Sequence, residues 1–414
     1  MKLDEEEKAM RGGACGPLAQ WAIEHQIKVG EYLGAGDFVP VSQAHVMADT
    51  ESLGQAGVEW LERLAAQPAD RRRLRVPTIT DPRGTDFAAA HRLKQQPWMI
   101  ELERRAIAAF EALGVLMTNT CINYQTIMPP VLGEHVAYGD TGVVIYANSV
   151  CGARSNFEGG PSALSAGITG RTPRYGYHLP ERRRATLVVH VTHTPRELNG
   201  WGALGAIAGR LAGDYWQVPA LVGLERIPSS DEMKHFGAAL ASYGSVALFH
   251  MIGITPEAQR ESDVLTGGAR AAHRIGAAEI ESFQASYARE IATVDLVVFS
   301  APQLSLMEMQ QLAGLLDGRR AGIPLLAVTS PQVKPDADRL GLTARIEAAG
   351  AMVLSGMCFY QSYAREMAEA NGWKRLATNS AKLVNIIGGY GYKPALLSMQ
   401  ACVEAACRGG RLAA

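Results

Sequence analysis

From about residue 185 onward, short apolar runs rich in β-branched residues alternate with longer segments of helical periodicity. Apolar strands separated by helices are typical of parallel sheets that helices cover on both faces. The predicted strands are Thr186–Val191, Ala220–Val222, Val246–Met251, Val294–Ser300, Leu325–Thr329 and Met352–Leu354. The pattern predicts an α/β protein with two α/β subdomains, at 185–290 and 291–414, preceded by an N-terminal segment over 1–184.

The N-terminal segment is less regular. Helical spacing predicts helices over 5–29, 52–66 and 101–113, and the segment 76–82 is predicted to be extended. In parallel α/β folds, ligands bind beyond the carboxyl ends of the strands. The polar residues His250, Ser300 and Cys358 lie at or after the ends of predicted strands and are therefore candidates for one crevice. His250 is equally compatible with a hydrogen-bonded histidine in the core.

Charge and hydropathy exclude several classes of protein. The net charge is −1 and the sequence pI is about 6.8, so the chain lacks the basic surface of a nucleic-acid-binding protein. No apolar run is long enough to predict a membrane helix, and the acidic start, Asp4 to Glu7, is unlike a signal peptide. We therefore expect a cytoplasmic location with neither nucleic acid nor membrane as a partner. The six cysteines are scattered without a CxxC pair, which favours free thiols.

The densest group of polar residues lies between residues 148 and 164, in a predicted loop that runs into a helix. Glycines in this segment allow close approach of the backbone to a ligand, and Arg154 offers a planar charged fork suited to a carboxylate. The candidate substrate-binding residues here are Asn148, Arg154, Ser155, Asn156 and Ser162. The alternative is a capped loop with a surface arginine. The density of the group favours a site for a small acid, with Arg154 on its carboxylate.

The same loop continues into Ile168-Thr169-Gly170-Arg171-Thr172-Pro173 and Tyr175-Gly176-Tyr177-His178, and with them it resembles the catalytic large subunit of the aconitase X family. Further matching blocks occur in the family's order along nearly the whole chain. They are Val41-Ser42-Gln43-Ala44-His45-Val46, Gly133-Glu134-His135, Val246-Ala247-Leu248-Phe249-His250, Gly253-Ile254-Thr255-Pro256-Glu257-Ala258 and Thr378-Asn379-Ser380-Ala381-Lys382.

The resemblance implies a hydro-lyase with an aconitase-like fold of several α/β subdomains. In this family a swivelling domain closes the site, either fused or as a separate subunit. Because the chain ends shortly after the last block, we expect that domain to be a separate small subunit. Family members dehydrate cis-3-hydroxy-L-proline or phosphomevalonate. The first hypothesis is therefore dehydration of a small hydroxy acid, most closely a cis-3-hydroxyproline-like substrate.

Two other hypotheses stay open. The chain could be a cluster-free relative that catalyses another lyase, isomerase or cyclisation step, as in specialised metabolism. It could also be a non-catalytic scaffold, although a scaffold would not need the group of polar side chains at 148–164.

The family's iron–sulfur ligands are implied at three positions, of which this sequence keeps two. Cys121 and Cys358 match ligand cysteines, but the block that usually reads Gly-Cys-Pro-His is here Ser300-Ala301-Pro302-Gln303. An alanine methyl cannot bind iron. Cys151 could replace the missing thiolate, two thiolates and another ligand could hold iron, or the site could work without a cluster. We expect an altered or absent cluster.

Other positions in these blocks also depart from the family. Asn123 stands where the family has proline, Gln303 where it has histidine, and Phe157 where arginine is common. The loss of positive charge at Phe157 argues against a phosphorylated substrate. The matching residues with chemical roles are Ser42, His45 and His250 as catalytic candidates and Lys382 as a further carboxylate ligand. Imidazole titrates near neutrality, so His45 or His250 is the expected general acid if no cluster forms. Without the resemblance, Lys382 would be taken for a surface lysine.

Overall fold

The computed structural model describes residues 1–265 and 271–412. Its strands are β1 (Phe38–Pro40), β2 (Ala44–Val46), β3 (Thr78–Thr80), β4 (Ala137–Tyr138), β5 (Arg171–Pro173), β6 (Leu187–Val191), β7 (Pro219–Val222), β8 (His250–Met251), β9 (Ala271–Ile275), β10 (Leu296–Leu304), β11 (Leu325–Thr329), β12 (Met352–Ser355), β13 (Arg375–Thr378) and β14 (Lys393–Leu396). They form three wholly parallel sheets and one antiparallel pair, β1 with β5. The predicted α/β class with parallel sheets is confirmed.

The helices that cover these sheets are mostly short. They are α1 (Glu5–Arg11), α2 (Pro17–Tyr32), α3 (Thr50–Ala65), α4 (Pro97–Leu113), α5 (Asn123–Thr126), α6 (Thr141–Tyr146), α7 (Gly160–Thr169), α8 (Leu198–Ala212), α9 (Ser230–Gly244), α10 (Glu261–Val264), α11 (Ala277–Ser286), α12 (Leu306–Leu315), α13 (Lys334–Arg339), α14 (Leu342–Ala348), α15 (Ala364–Asn371), α16 (Ala381–Ile387) and α17 (Met399–Cys407). No helix of the described residues is long and apolar enough to cross a membrane.

The N-terminal segment departs most from the sequence-based expectation. The single helix predicted over 5–29 is wrong, because α1 and α2 are separate helices. Gly13 and Gly16 between them have φ of +82° and +92°, a conformation that ends a helix and favours glycine. This segment also contains a parallel sheet of its own, in the order β3-β2-β4, which the sequence pattern did not predict.

Each of the two segments predicted to be subdomains, 185–290 and 291–414, contains one parallel sheet among its described residues. The strand order is β8-β7-β6-β9 in 185–290 and β12-β11-β10-β13-β14 in 291–414. The strand predicted over 246–251 is shorter than expected, because only its last two residues, His250 and Met251, pair with β7. The third sheet carries the largest buried strand, β10, all nine residues of which are buried.

Two of the parallel sheets bring their carboxyl ends into contact. Lys382, after β13 of the five-stranded sheet, contacts Asp140, after β4 of the three-stranded sheet. Gln303, near the end of β10, contacts Cys121 in the loop before α5. The carboxyl ends of parallel strands are where open α/β sheets bind ligands. The junction between these two sheets is therefore the candidate site.

Candidate active site

Each strand of the three-stranded sheet is followed by a buried aspartate. Asp49 lies three residues after β2, Asp81 directly after β3 and Asp140 two residues after β4. The strands are parallel, so the three carboxyl groups lie at the same edge of the sheet. Burying three carboxyl groups in one place is costly unless each has a partner or stays protonated. The partners of these groups define the site.

Asp140 is paired with Lys382. The lysine Nζ lies 3.2 Å from Oδ2 of the aspartate, and both side chains are almost wholly buried. Burial alone would raise the pKa of Asp140, but the charge of Lys382 and a hydrogen bond from the Val143 N–H outweigh it and lower the pKa. Burial likewise opposes the charged form of Lys382, but Asp140 in particular raises the lysine's pKa. The pair is therefore ionised at neutral pH.

Asp81 has the opposite character. Burial, with the nearby charge of Asp140, raises its pKa well above the usual value, although Lys382 opposes the shift. Its Oδ2 accepts a 3.4 Å hydrogen bond from Gln361, and its Oδ1 has no hydrogen-bond partner among the described residues. The raised pKa favours the protonated form of Asp81, which is the form that can donate a proton.

A second layer of carboxyl groups lies behind Asp81. Gln361 also donates to Asp49, whose pKa burial raises to about 6. Glu103 accepts hydrogen bonds from Thr50 and from the Gly84 N–H, and burial raises its pKa to about 7. This part of the protein therefore holds several buried carboxyl groups, and it favours a positively charged ligand group over a negative one.

His45, in β2, lies beside Asp81. Its Nε2 donates to the Thr120 carbonyl at 2.9 Å and lies 3.8 Å from Oδ1 of Asp81. Burial lowers its pKa, which favours the neutral ring. Because a carbonyl only accepts, Nε2 carries the proton, so Nδ1 keeps a lone pair, and this atom is buried without a partner. The structure thus leaves Nδ1 of His45 able to accept a proton, and the general-acid role expected from the sequence stays a prediction.

The two thiols of the family's ligand positions lie in the same cluster. Burial raises the pKa of Cys121 well above its usual value. Burial raises the pKa of Cys358 to about 12, although Lys382 opposes it. Gly356, with φ of +71°, turns the chain after β12 and lets Cys358 reach the sheet junction. The raised pKa values of Cys121 and Cys358 favour protonated thiols.

The donors between the two thiols do not fit a cluster of the aconitase type. Ser300 Oγ lies 3.9 Å from Cys358 Sγ, and the Gln303 N–H donates to Cys121 Sγ at 3.4 Å. Ala301 lies between these two residues in the chain, one of which contacts each thiol. A four-iron cluster with one open iron requires three thiolates, and a methyl group supplies none. Within 1–265 and 271–412, no three His, Cys, Asp or Glu side chains form a group that could hold a metal ion.

Three of the predicted substrate-binding residues use their side chains to shape the loop. Asn148 donates to the carbonyls of Ser155 and Ala247 and accepts from the Ser155 N–H. Ser155 accepts from the Tyr138 N–H and donates to the Asn156 carbonyl. Asn156 donates to the Tyr175 carbonyl and accepts from the Tyr177 N–H. Their role as substrate ligands stays a prediction.

Arg154 and Ser42 lie at the amino end of the three-stranded sheet, away from the aspartates. The backbone of Arg154 pairs with His135, which precedes β4, whereas Asp140 follows it. Extended chain rises about 3.3 Å per residue, so His135 and Asp140 lie roughly 15 Å apart along the strand. Ser42 contacts Glu134 at the same end. The structure therefore does not bring Arg154 and Ser42 together with Lys382 and the thiols.

Two further predicted residues also lie elsewhere. His250 begins β8 in the segment 185–290, and its Nε2 donates to the Arg183 carbonyl at 2.7 Å. Ser162, in the first turn of α7, lies 3.1 Å from His25 of α2. Neither residue has a hydrogen bond to the sheet junction, and both stay predictions as ligands or catalysts.

Sequence reasoning missed Asp49, Asp81, Asp140 and Gln361. The signal for Asp81 was present, because this residue lies near the end of the predicted extended segment 76–82. The rule that ligands bind at the carboxyl ends of strands applied to it as much as to His250. Asp49 and Asp140 follow strands of only three and two residues, which are too short to recognise by periodicity.

Comparison with known proteins covers nearly the whole chain. Family models described as the first, second and third domains of aconitase X match residues 1–181, 185–285 and 294–408. The chain is 37% identical over 393 residues to the phosphomevalonate dehydratase large subunit of Methanothermobacter thermautotrophicus, covering 94% of each. It is 31% identical to the cis-3-hydroxy-L-proline dehydratase of Pseudomonas aeruginosa, covering 99% of this chain and 70% of that protein.

A solved structure is also similar. The crystal structure described as the holo form of aconitase X from Thermococcus kodakaraensis superposes with a TM-score of 0.87 and 29% sequence identity. The match covers 98% of this chain and all of that one.

Proposed function

Because this chain belongs to the aconitase X family, whose named relatives are dehydratases, we propose that it removes water from a small hydroxy amino acid of the cis-3-hydroxyproline type. The observation that carries the proposal is the sheet junction, where a neutral histidine base, a protonated carboxyl group and a buried lysine lie together. These are the groups that a β-elimination next to a carboxylate requires.

The reaction follows from the states of these groups. Lys382 has three N–H bonds, one of which is used by Asp140, so the remaining ones bind the substrate carboxylate. Nδ1 of His45 takes the proton from the carbon next to that carboxylate, and the electron pair forms the new double bond. The hydroxyl group leaves from the neighbouring carbon with the proton of Asp81, as water. Atoms and charge balance without another reagent.

The charge of the site favours an amino acid over a phosphorylated substrate. Asp49 and Glu103 add negative charge as they ionise near neutral pH, which stabilises a substrate ammonium group and repels a phosphate. Phe157 packs against Tyr215 with ring centroids 5.2 Å apart, so an apolar wall occupies that position. Phosphomevalonate remains the competing substrate because several relatives carry that name.

Two further features belong to this proposal. The chain acts as a large subunit with a small swivelling subunit, as the names of the phosphomevalonate dehydratase relatives imply for those proteins. Closure by such a subunit would exclude water from the site. The site also works without a four-iron cluster, because Ala301 supplies no thiolate.

The test is a substrate comparison. The chain is co-expressed with an aconitase X small subunit, and loss of water from cis-3-hydroxy-L-proline and from phosphomevalonate is followed by mass spectrometry. We expect dehydration of the hydroxyproline and none of the phosphorylated acid. His45→Gln and Asp81→Asn each should lower kcat by about 10²–10⁴-fold. Dehydration of phosphomevalonate, or full activity of His45→Gln, would contradict the proposal.

A further inference from the structure

The contacts of Gln303 tie together the two chain segments that carry the thiols. Its Nε2 donates to the carbonyls of Asn119 and Met357, both at 3.2 Å. Its Oε1 accepts from the Cys121 N–H and its own N–H donates to Cys121 Sγ, both at 3.4 Å. One buried amide side chain therefore holds the residues that precede Cys121 and Cys358 against the end of β10.

Gln303 is itself anchored from the segment 185–290. Its carbonyl accepts a 3.2 Å hydrogen bond from Lys234 of α9, which is fully buried. Burial opposes the charged form of this lysine, but the carboxylates of Glu308 and Asp231 raise its pKa. His235 lies 2.8 Å from the other oxygen of Glu308. A charged network from α9 thus holds the end of β10 through the Gln303 carbonyl.

We propose that Gln303, anchored by Lys234, is a positioning residue that holds the two thiol segments against the end of β10 in place of cysteine–iron bonds. Three segments meet at this point, 119–121, 300–303 and 357–358. A cluster would join them through metal–thiolate bonds, and here amide hydrogen bonds join them. The proposal rests on the proposed absence of a four-iron cluster in this chain. It does not depend on which hydroxy acid is the substrate.

The hydrogen bonds of Gln303 to the segments 119–121 and 357–358 are called the brace below. Alkylation of the native thiols tests the brace without an activity assay. Gln303→Ala is treated with iodoacetamide, and the rate at each cysteine is measured by mass spectrometry. We expect the rates at Cys121 and Cys358 to rise about tenfold to a hundredfold, because the brace no longer opposes local opening. Cys402, buried in α17, is the internal reference and should keep its rate.

Two further variants serve as controls. Gln26→Ala removes another buried amide, which donates to the Arg171 carbonyl at 2.6 Å, and should leave the rates at Cys121 and Cys358 unchanged. Gln303→Glu keeps the shape of the side chain but loses both Nε2 donors, so it should also expose the thiols. It replaces the alanine variant in the test if that variant does not fold. In the dehydration assay, folded Gln303 variants should lose more than about tenfold in kcat, because the segment 119–121 carries the Thr120 carbonyl that orients His45. KM should stay within about threefold, because Lys382 still binds the carboxylate.

The outcomes separate this inference from the proposed function. Unchanged alkylation in a folded, iron-free Gln303→Ala protein would overturn the brace alone. An equal rise in the alkylation rate of Cys402 would also overturn the brace, because the variant would then have lost stability throughout the protein. Anaerobic reconstitution of the unmodified protein with iron and sulfide to three or four irons per chain would overturn both the brace and the cluster-free site. Failure to dehydrate any hydroxy acid, with selective exposure of the two thiols, would leave the brace intact.

Discussion

Replacing Lys382 with methionine should destabilise the protein strongly, because it leaves the carboxylate of Asp140 buried without its partner. Both side chains are about 93% buried and lie 3.2 Å apart. Removing one member of a buried ion pair typically costs about 3–5 kcal/mol. Asp140→Asn should cost a similar amount because it leaves the ammonium group unpaired. The asparagine can still cap α6, so the loss of unfolding free energy reports mainly on the removed charge of Asp140.

The double variant distinguishes a charge pair from two independent packing losses. With both charges removed, neither group is left uncompensated, so the double variant should be more stable than the sum of the single losses predicts, by about 2 kcal/mol. The free energy of unfolding is measured from urea titrations followed by circular dichroism at pH 7. The exposed pair Lys334–Asp338 serves as the control, and its coupling should stay below about 1 kcal/mol.

The pH dependence of this coupling has a defined sign. The pKa of Asp140 is lowered in the folded protein, so its stabilisation is present above the unfolded value and is lost as pH falls through the folded value. The coupling should therefore be smaller at pH 3 than at pH 7. Additive losses at pH 7, or a coupling that grows on acidification, would refute the ionised pair and with it the assignment of Lys382 as the carboxylate ligand.

Three further predictions concern Arg154, the pair of His45 and Asp81, and Glu158. Arg154→Ala should leave KM within about threefold if Lys382 binds the substrate carboxylate, whereas a rise of about one to two orders of magnitude would assign the carboxylate to Arg154. With the small subunit, kcat/KM should rise with pH through the lowered pKa of His45 and fall as Asp81 loses its proton, and a profile without an acidic limb would exclude His45 as the base. Burial raises the pKa of Glu158 to about 7, so its contribution to stability should fall by about 3 kcal/mol between pH 4.5 and 7, and Glu158→Gln, measured by urea unfolding, should lack this fall.

The sequence predicted the large-scale architecture because long-range features of the chain encode it. The alternation of apolar strands and helices after residue 185 is regular enough to predict parallel sheets, and these are present. The family resemblance rested on blocks spread over the chain, and the three matching family models cover most of it. The N-terminal helix was predicted as one because the break at Gly13 and Gly16 is a backbone effect that apolar periodicity does not register.

The site was predictable only in part. Cys121, Cys358, His45 and Lys382 were named from the sequence, and the structure brings them near Asp81 and Asp140. The polar loop was predicted to bind the carboxylate because it combines Arg154 with amides and hydroxyls, and that role stays a prediction. In the structure, Asn148 and its neighbours satisfy backbone groups of their own loop, a use that composition alone does not distinguish from ligand binding. The separation of Arg154 from Asp140 depends on strand direction, which the sequence does not specify.

The most direct test of a cluster-free dehydratase is to measure activity and iron in the same sample. The chain is purified with its small subunit, treated with a chelator, and assayed for dehydration of cis-3-hydroxy-L-proline while iron per chain is determined. We predict that turnover persists when iron falls well below one atom per chain. Turnover that disappears in proportion to the iron removed, and returns when iron and sulfide are restored, would contradict the proposed roles of His45, Asp81 and Lys382.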